Sequence, residues 1–117
     1  MKKTATIILN RNLPHETDSL VEHLMKYDGV HTDIFVVEAG SDKDKLSKYC
    51  TWHVKTPEAI SHGLRYSRGM NFGLLKLWKS GDWENYNSFF LLTNDTIFPK
   101  NQKTISVLRE IQINPPK

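Results

Sequence analysis

The sequence predicts an α/β protein in three layers, in which helices cover both faces of a mostly parallel sheet. Short apolar runs rich in β-branched and aromatic residues alternate along the chain with segments of helical periodicity. Several of these runs are apolar at consecutive positions, which is typical of strands buried on both faces. The chain has 117 residues, so we expect a single domain with its own core.

Four segments have the composition of strands. They cover residues 6–10, 33–38, 50–54 and 88–93. Because the first two are the most apolar, the first strand is expected near the centre of the sheet, with strand order 3-2-1-4. Right-handed crossovers are expected between the parallel strands.

Three helices and one short polar helix are expected between and after these strands. The first begins at Pro14, ends at Asp28-Gly29 and has an apolar face formed by Leu20, Val21, Leu24 and Met25. A short polar helix is expected at residues 42–47, and residues 55–67 have no clear pattern. A helix at about residues 69–79 has an apolar side formed by Leu74, Leu75, Leu77 and Trp78. Ile105, Leu108 and Ile111 predict a last helix at residues 103–111.

Composition excludes several classes of protein. No apolar run is long enough to cross a membrane, and the N-terminal apolar run lacks a signal-peptide cleavage site, so we expect a cytoplasmic protein. Cys50 is the only cysteine, and an internal disulfide is therefore excluded. The net charge of +3 is spread along the chain, which does not favour nucleic acid as a partner.

Polar residues follow three of the predicted strands directly. They lie at residues 10–12, 38–42 and 93–95. Ligands of parallel α/β sheets bind outside the carboxyl ends of the strands, where these three loops would meet. Carboxylates there can accept hydrogen bonds from a ribose or a base, or hold a divalent cation. Each loop alone is more typical of an ordinary polar turn or helix cap than of a ligand site, but together in this topology they favour a nucleotide site.

Four segments in order resemble the N-terminal half of a family-two glycosyltransferase with the GT-A fold. They are residues 6–12 (TIILNRN), 34–42 (IFVVEAGSD), 68–73 (RGMNFG) and 89–99 (FFLLTNDTIFP). The last is similar to the strand that ends in the DxD motif of that family. The resemblance runs from about residue 6 to residue 111. It rests on the order and spacing of the motifs, since no single motif is very specific.

The resemblance implies that the chain binds a nucleoside diphosphate sugar for glycosyl transfer. It assigns the first loop of the nucleotide site to Asn10 and Asn12, and the acid that contacts the base or ribose to Glu38. Asp42 matches the acid of the following turn. The remaining matches are Arg68 and Asn71, beside the diphosphate, and Asp95, which is expected to bind Mg²⁺ or Mn²⁺.

The sequence departs from the family at several points, two of which bear on catalysis. Thr93 occupies the first position of the DxD motif, and no residue matches the catalytic base, which in the family lies beyond that motif in the acceptor half. We therefore expect a domain shorter than the whole enzyme, and catalysis by this chain is left open. The alternative is a nucleotide-binding or interaction module without catalysis, either degenerate or truncated. A receiver-type domain is a third interpretation, but the first loop lacks the acidic pair that it needs.

The predicted sheet also has consequences for association. A sheet that stops at the fourth strand leaves that strand as an exposed edge, and such edges tend to pair or to be covered. We therefore expect a homodimer, or the segment from Asn101 onward folding over this edge.

Overall fold

The computed structural model describes residues 2–93, which form a four-stranded parallel sheet with helices. The strands are β1 (Lys3–Asn10), β2 (Thr32–Ala39), β3 (Cys50–Val54) and β4 (Tyr86–Thr93). Their order is β3-β2-β1-β4, and every pair is parallel. The predicted fold class and strand order are confirmed. β3 has the predicted bounds, whereas β1, β2 and β4 extend one to three residues beyond theirs because main-chain pairing continues past the apolar runs.

Three α-helices connect the strands. They are α1 (Pro14–Asp28), α2 (Pro57–His62) and α3 (Tyr66–Ser80). The bounds of α1 match the prediction, and α3 begins a few residues earlier than expected. The predicted polar helix at residues 42–47 is a single 3-10 turn, Lys43–Lys45, and a second 3-10 turn, Asp82–Asn85, precedes β4. The predicted helix at residues 103–111 lies outside the described residues.

Helix α2 was not predicted, although its signals are present in the sequence. Thr56 caps the helix, because its side chain accepts a hydrogen bond of 3.2 Å from the Ala59 backbone N–H. Pro57 then occupies the first turn, where its missing N–H costs nothing. Six residues are too few to show an apolar stripe, so periodicity could not reveal this helix.

Two clusters of buried side chains use alternate positions of the strands. Ile7 packs with Met70 and Leu77 of α3, whereas its neighbour Ile8 packs with α1. Because successive strand residues point to opposite faces, α1 lies on one face of the sheet and α3 on the other. Gly73 brings α3 close to the sheet: a Cβ added there would lie 3.0 Å from the Ile7 side chain.

The predicted apolar faces of α1 and α3 are each partly wrong. Met25 is 54% exposed, and Leu75 and Trp78 are 55% and 63% exposed. In α3 the side against the sheet is formed by Gly69, Met70, Gly73 and Leu77. Two glycines belong to the packed side, so the positions of the large apolar residues alone predict a packed side about a quarter-turn around the helix from the observed one.

Further predictions concern a membrane, association with a second copy and cellular location. Among residues 2–93, the helices lack the length and hydrophobicity of a membrane span. β4 forms one edge of the described sheet, as predicted. The homodimer and the cytoplasmic location stay predictions, and the alternative to the dimer, a segment from Asn101 onward that folds over β4, lies outside the described residues.

Candidate functional site

The carboxyl ends of β1 and β2 bring two of the predicted loops together. Asn10 and Glu38 are register partners in these neighbouring strands. Both side chains are fully buried, at 0% exposure. The loop after β1 and the loop after β2 therefore leave the sheet side by side, and the predicted residues Asn10, Asn12, Glu38 and Asp42 belong to one cluster.

Glu38 is the centre of a buried hydrogen-bond network. Its Oε1 accepts hydrogen bonds from Asn10 Nδ2 at 2.8 Å and from Ser41 Oγ at 2.6 Å. Its Oε2 accepts a hydrogen bond from the Ser47 backbone N–H at 2.8 Å. A buried carboxylate is tolerable because donors surround it. Glu38 thus ties the ends of β1 and β2 to the segment that enters β3.

Asn12 joins the two loops above this network. Its backbone N–H donates to Ser41 Oγ at 3.1 Å, and its side-chain Oδ1 accepts from the Asp42 backbone N–H at 2.8 Å. Its φ of 61° lies in the left-handed region, which asparagine tolerates better than most residues. The first loop is therefore held against the second by both the backbone and the side chain of one residue.

A second carboxylate anchors the segment before β3 to α1. Asp18 Oδ1 accepts hydrogen bonds from Ser47 Oγ at 2.6 Å and from the Lys48 backbone N–H at 3.1 Å. Ser47 thus connects Asp18 and Glu38, using its hydroxyl for one and its N–H for the other. The loops at this edge are cross-linked by side chains and do not depend on main-chain ladders.

Asp42 is the predicted acid that remains open to solvent. Its side chain is exposed, and its backbone lies at the start of the 3-10 turn Lys43–Lys45 without a side-chain capping bond. Glu38 and Asp42 therefore differ in what they can do. Asp42 can meet a ligand directly, whereas Glu38 shapes the loops from below.

The helical side of the same edge carries arginines. Arg11 Nη2 donates to the Ile60 carbonyl at the end of α2, at 3.1 Å. Arg68, in the first turns of α3, forms an ion pair with Glu58 of α2, and both side chains are exposed. The Tyr66 hydroxyl lies 3.4 Å from the Leu91 carbonyl oxygen, so the start of α3 lies against β4 at this edge.

Of the two remaining predicted residues, only Asn71 belongs to the described part of the chain, and it lies away from this edge. Asn71 lines a groove with Leu74, Leu75, Trp78 and Trp83 on the outer side of α3. Asp95 lies outside the described residues. Within residues 2–93, no group of three or more His, Cys, Asp or Glu side chains could hold a metal ion.

Comparisons with protein-family models, with curated proteins and with solved structures gave no match to this chain. The site is therefore interpreted from its own geometry.

Three residues that shape this edge are not among the predicted site residues. Ser41 and Ser47 are buried donors to Glu38, and Arg11 extends a guanidinium over the end of α2. Ser41 follows Gly40 in a glycine-serine turn, which is a visible signal of a tight loop. Nothing in the sequence marks Ser47 as a partner of an acid nine residues earlier.

Cys50, at the start of β3, is half-buried near this network. Burial, followed by the negative charge of Glu38, raises the pKa of its thiol. The thiolate is therefore disfavoured, and Cys50 is unsuited to a nucleophilic role in the site.

Proposed function

We propose that this chain binds a nucleoside diphosphate sugar at the carboxyl edge of its sheet, as part of a glycosyl-transfer reaction. One observation carries the proposal: loops from β1 and β2 are locked together at the carboxyl edge of a parallel sheet with order 3-2-1-4. In that order the chain reverses direction across the sheet between β1 and β4. Such reversal points form the crevice in which α/β sheets of this kind bind ligands.

The rigidity of the two loops supports a binding role. Asn10, Asn12 and Ser41 hold the loops by side-chain hydrogen bonds, which reduces the entropy that a ligand must remove on binding. Asp42 offers an exposed carboxylate that can accept hydrogen bonds from ribose hydroxyls or a base N–H. Glu38 acts in this proposal by positioning the loops.

The arginines supply the second half of the proposed recognition. Arg11 and Arg68 present guanidinium groups on the same edge, and guanidinium groups match the geometry of phosphate oxygens. Arg68 would exchange its exposed ion pair with Glu58 for a phosphate at little cost, because surface ion pairs contribute little stability. The position of Asn71 does not favour a phosphate role, since this residue lines the groove beside α3.

A divalent cation belongs to the proposal through Asp95, which lies outside the described residues. One carboxylate with phosphate oxygens and waters is an acceptable ligand set for Mg²⁺ or Mn²⁺. The cation would neutralise charge on the diphosphate. The residues of this chain would orient the nucleotide and its phosphates.

A second candidate is a nucleotide-binding module without catalysis. The observation that favours it is the complete use of the Glu38 carboxylate by protein donors on both oxygens. Within the described residues, the Glu38 carboxylate thus serves to hold the protein's own loops together. The sequence also offers no residue that matches the catalytic base of the family it resembles.

Calorimetry with a panel of nucleoside diphosphates, with and without Mn²⁺, tests binding. We expect weak binding that Mn²⁺ strengthens, and an Asn12→Ala variant that binds less tightly than a Lys26→Ala control on the opposite end of the molecule. Absence of heat with every nucleotide would overturn the proposal. A transfer assay on the same samples separates the candidates: sugar transfer indicates an enzyme, and binding without transfer indicates a module.

A further inference from the structure

The outer side of α3 exposes two large apolar side chains. Leu75 is 55% exposed and Trp78 is 63% exposed. Met70 and Leu77 are buried on the packed side of the same helix, against the sheet. Leu75 and Trp78 also line a common groove of about 450 Å³, together with Asn71, Leu74 and Trp83. Adjoining exposed apolar side chains commonly mark a binding surface.

The charged side chains of α3 are all positive. They are Arg68, Lys76 and Lys79, and the helix contains no aspartate or glutamate. Lys79 follows Leu75 by four residues, so these two side chains are neighbours on the outer side. Lys76 Nζ lies 5.5 Å from the centroid of the Phe72 ring, on the flank of the helix. Positive charge therefore adjoins the exposed apolar residues.

Three acidic side chains of the described residues lie at the ends of α3. Glu58 of α2 forms an ion pair with Arg68 in the first turns of the helix. Asp82 and Glu84 belong to the 3-10 turn that follows the helix, and Asp82 Oδ2 accepts a hydrogen bond of 2.8 Å from Ser80 Oγ. The stretch of the outer side between these ends therefore combines lysines with exposed apolar residues.

This combination suits the surface of an anionic membrane. Helices that lie in the plane of a membrane interface carry lysine or arginine beside tryptophan and leucine, and their binding strength depends on the buried apolar area and on attraction to anionic lipids. Tryptophan is enriched at membrane interfaces. A lysine side chain can keep its ammonium group in the headgroup layer while its methylene stem covers apolar surface.

Two other occupants fit this side less well. A second copy that docked through the same helix would bring the lysines of both copies together, where like charges repel each other. A single-stranded nucleic acid binds through cationic and aromatic side chains, which accounts for Lys79 and Trp78 but not for the exposed Leu75. A membrane accounts for all three residues.

We propose that the outer side of α3 binds the surface of membranes that contain anionic phospholipids. Leu75 and Trp78 enter the boundary between headgroups and acyl chains, and Lys76 and Lys79 contact the headgroup phosphates. The helix has 15 residues, is about 22 Å long and lies parallel to the membrane surface. This role is independent of the proposed nucleotide site, whose loops meet at Asn12 on the carboxyl edge of the sheet.

Cosedimentation of the full chain with lipid vesicles tests the charge requirement. We expect binding to vesicles of phosphatidylcholine and phosphatidylglycerol that weakens as salt is added, and much weaker binding to phosphatidylcholine alone. Lys79→Ala should lower the partition coefficient about fivefold. Lys26→Ala is the matched control, because it removes an exposed lysine from α1 on the other face of the sheet. Absence of binding to the anionic vesicles, or equal losses in both variants, would refute the proposal.

Fluorescence quenching tests which side of the protein enters the membrane. Phospholipids brominated on their acyl chains quench tryptophans that reach the acyl region. Trp78→Phe should remove most of this quenching, whereas Trp52→Phe should retain it, because Trp52 stacks on Phe35 of the sheet with ring centroids 5.5 Å apart. Equal quenching in the two variants would mean that another surface faces the membrane, contrary to the proposal.

A third measurement separates apolar insertion from attraction between charges alone. Leu75→Glu should abolish binding to the anionic vesicles, whereas Met25→Glu makes the same change of charge at a residue of α1 that is 54% exposed and should weaken binding only slightly. Circular dichroism checks that both variants remain folded. Equal losses would contradict insertion of Leu75. Binding of the chain to a single-stranded oligonucleotide but not to vesicles would assign this side to a nucleic acid and refute the proposal.

Discussion

Asn10 donates a hydrogen bond of 2.8 Å to Glu38 from a register position directly opposite it, and both side chains are excluded from solvent. This pair joins the two central strands at the edge where the proposed ligand binds. The Ser41 hydroxyl and the Ser47 N–H donate hydrogen bonds to the same Glu38 carboxylate. One acid therefore connects all the segments that meet at this edge. Its contribution to stability can be measured independently of any ligand.

Glu38→Ala should lower the free energy of unfolding by on the order of 3 kcal/mol, since three buried donors lose their acceptor. Urea denaturation followed by circular dichroism measures this loss. Asp42→Ala is the matched control, because it removes an exposed carboxylate from the same loop. Its effect should stay within about 0.5 kcal/mol. Equal effects of the two substitutions would show that the network does not support the fold.

Gly40→Ala should destabilise the protein more than Gly81→Ala. Both glycines have positive φ, at 74° and 84°, so an alanine costs about 1–2 kcal/mol at either position. At Gly40 the new Cβ would also collide with the Ala59 carbonyl of α2, whereas at Gly81 nothing lies within 4 Å. Thermal unfolding of the two variants measures the difference. A Gly40→Ala variant as stable as Gly81→Ala would mean that α2 can move away from the loop.

The stability contributed by Tyr86 should decline at high pH. Burial, followed by the hydrogen bond of 2.8 Å that its hydroxyl donates to Asp33, raises the pKa of Tyr86 above its ordinary value. A raised pKa favours the protonated phenol in the folded state. Its contribution is therefore complete below the unfolded value of about 10 and is lost as the pH rises above it.

Comparing the wild type with Tyr86→Phe in urea at several pH values tests this dependence. The variant should be less stable by about 1 kcal/mol near neutral pH, and the gap should narrow above about pH 10. Tyr66→Phe is the control, because the exposed Tyr66 hydroxyl makes only a 3.4 Å contact with Leu91. It should change stability by less than about 0.5 kcal/mol. A constant gap for Tyr86→Phe across this range would contradict the assigned cause.

Alkylation of Cys50 by iodoacetamide should be slower in the folded chain than in the unfolded chain. Burial raises the pKa of the thiol, and the thiolate is the reactive form. Mass spectrometry at several pH values should show the folded rate still rising where the unfolded rate has levelled off. Thr51→Cys in a Cys50→Ala background provides an exposed thiol on the same strand. Equal rates at both positions would contradict the effect of burial.

Asp95→Ala should remove the strengthening of nucleotide binding by Mn²⁺, if the proposed function holds. Loss of a residue that only hydrogen-bonds to a metal ligand commonly lowers metal affinity about tenfold or more. Loss of a direct ligand should lower the affinity at least as much. Titration of a nucleoside diphosphate with and without Mn²⁺ measures the effect. Asp44→Ala removes an exposed acid from the 3-10 turn and is the control. An unchanged response to Mn²⁺ in Asp95→Ala would exclude this residue as the ligand.

The sequence by itself determined the parallel sheet, its strand order and the bounds of α1. Runs such as Ile34 to Val37 are apolar at consecutive positions. A strand covered by helices on both faces is one of the few structures that can bury all of these side chains. Handedness and the alternation of strands and helices then left few ways to arrange the sheet. The convergence of Asn10, Glu38 and Asp42 at one edge followed from that topology.

Only the tertiary structure decided which of these polar residues faces solvent. Glu38 and Asp42 are both acids in one loop, and residue type does not distinguish them. The difference arises because Ser47, nine residues from Glu38 in sequence, brings its N–H within 2.8 Å of the carboxylate. The packed side of α3 was decided in the same way, since Gly69 and Gly73 lie against Leu9 and Ile7. Periodicity indicates where apolar side chains lie around a helix. How closely the helix backbone approaches the sheet depends on the side chains of the sheet that face it, and these cannot be read from the sequence of the helix.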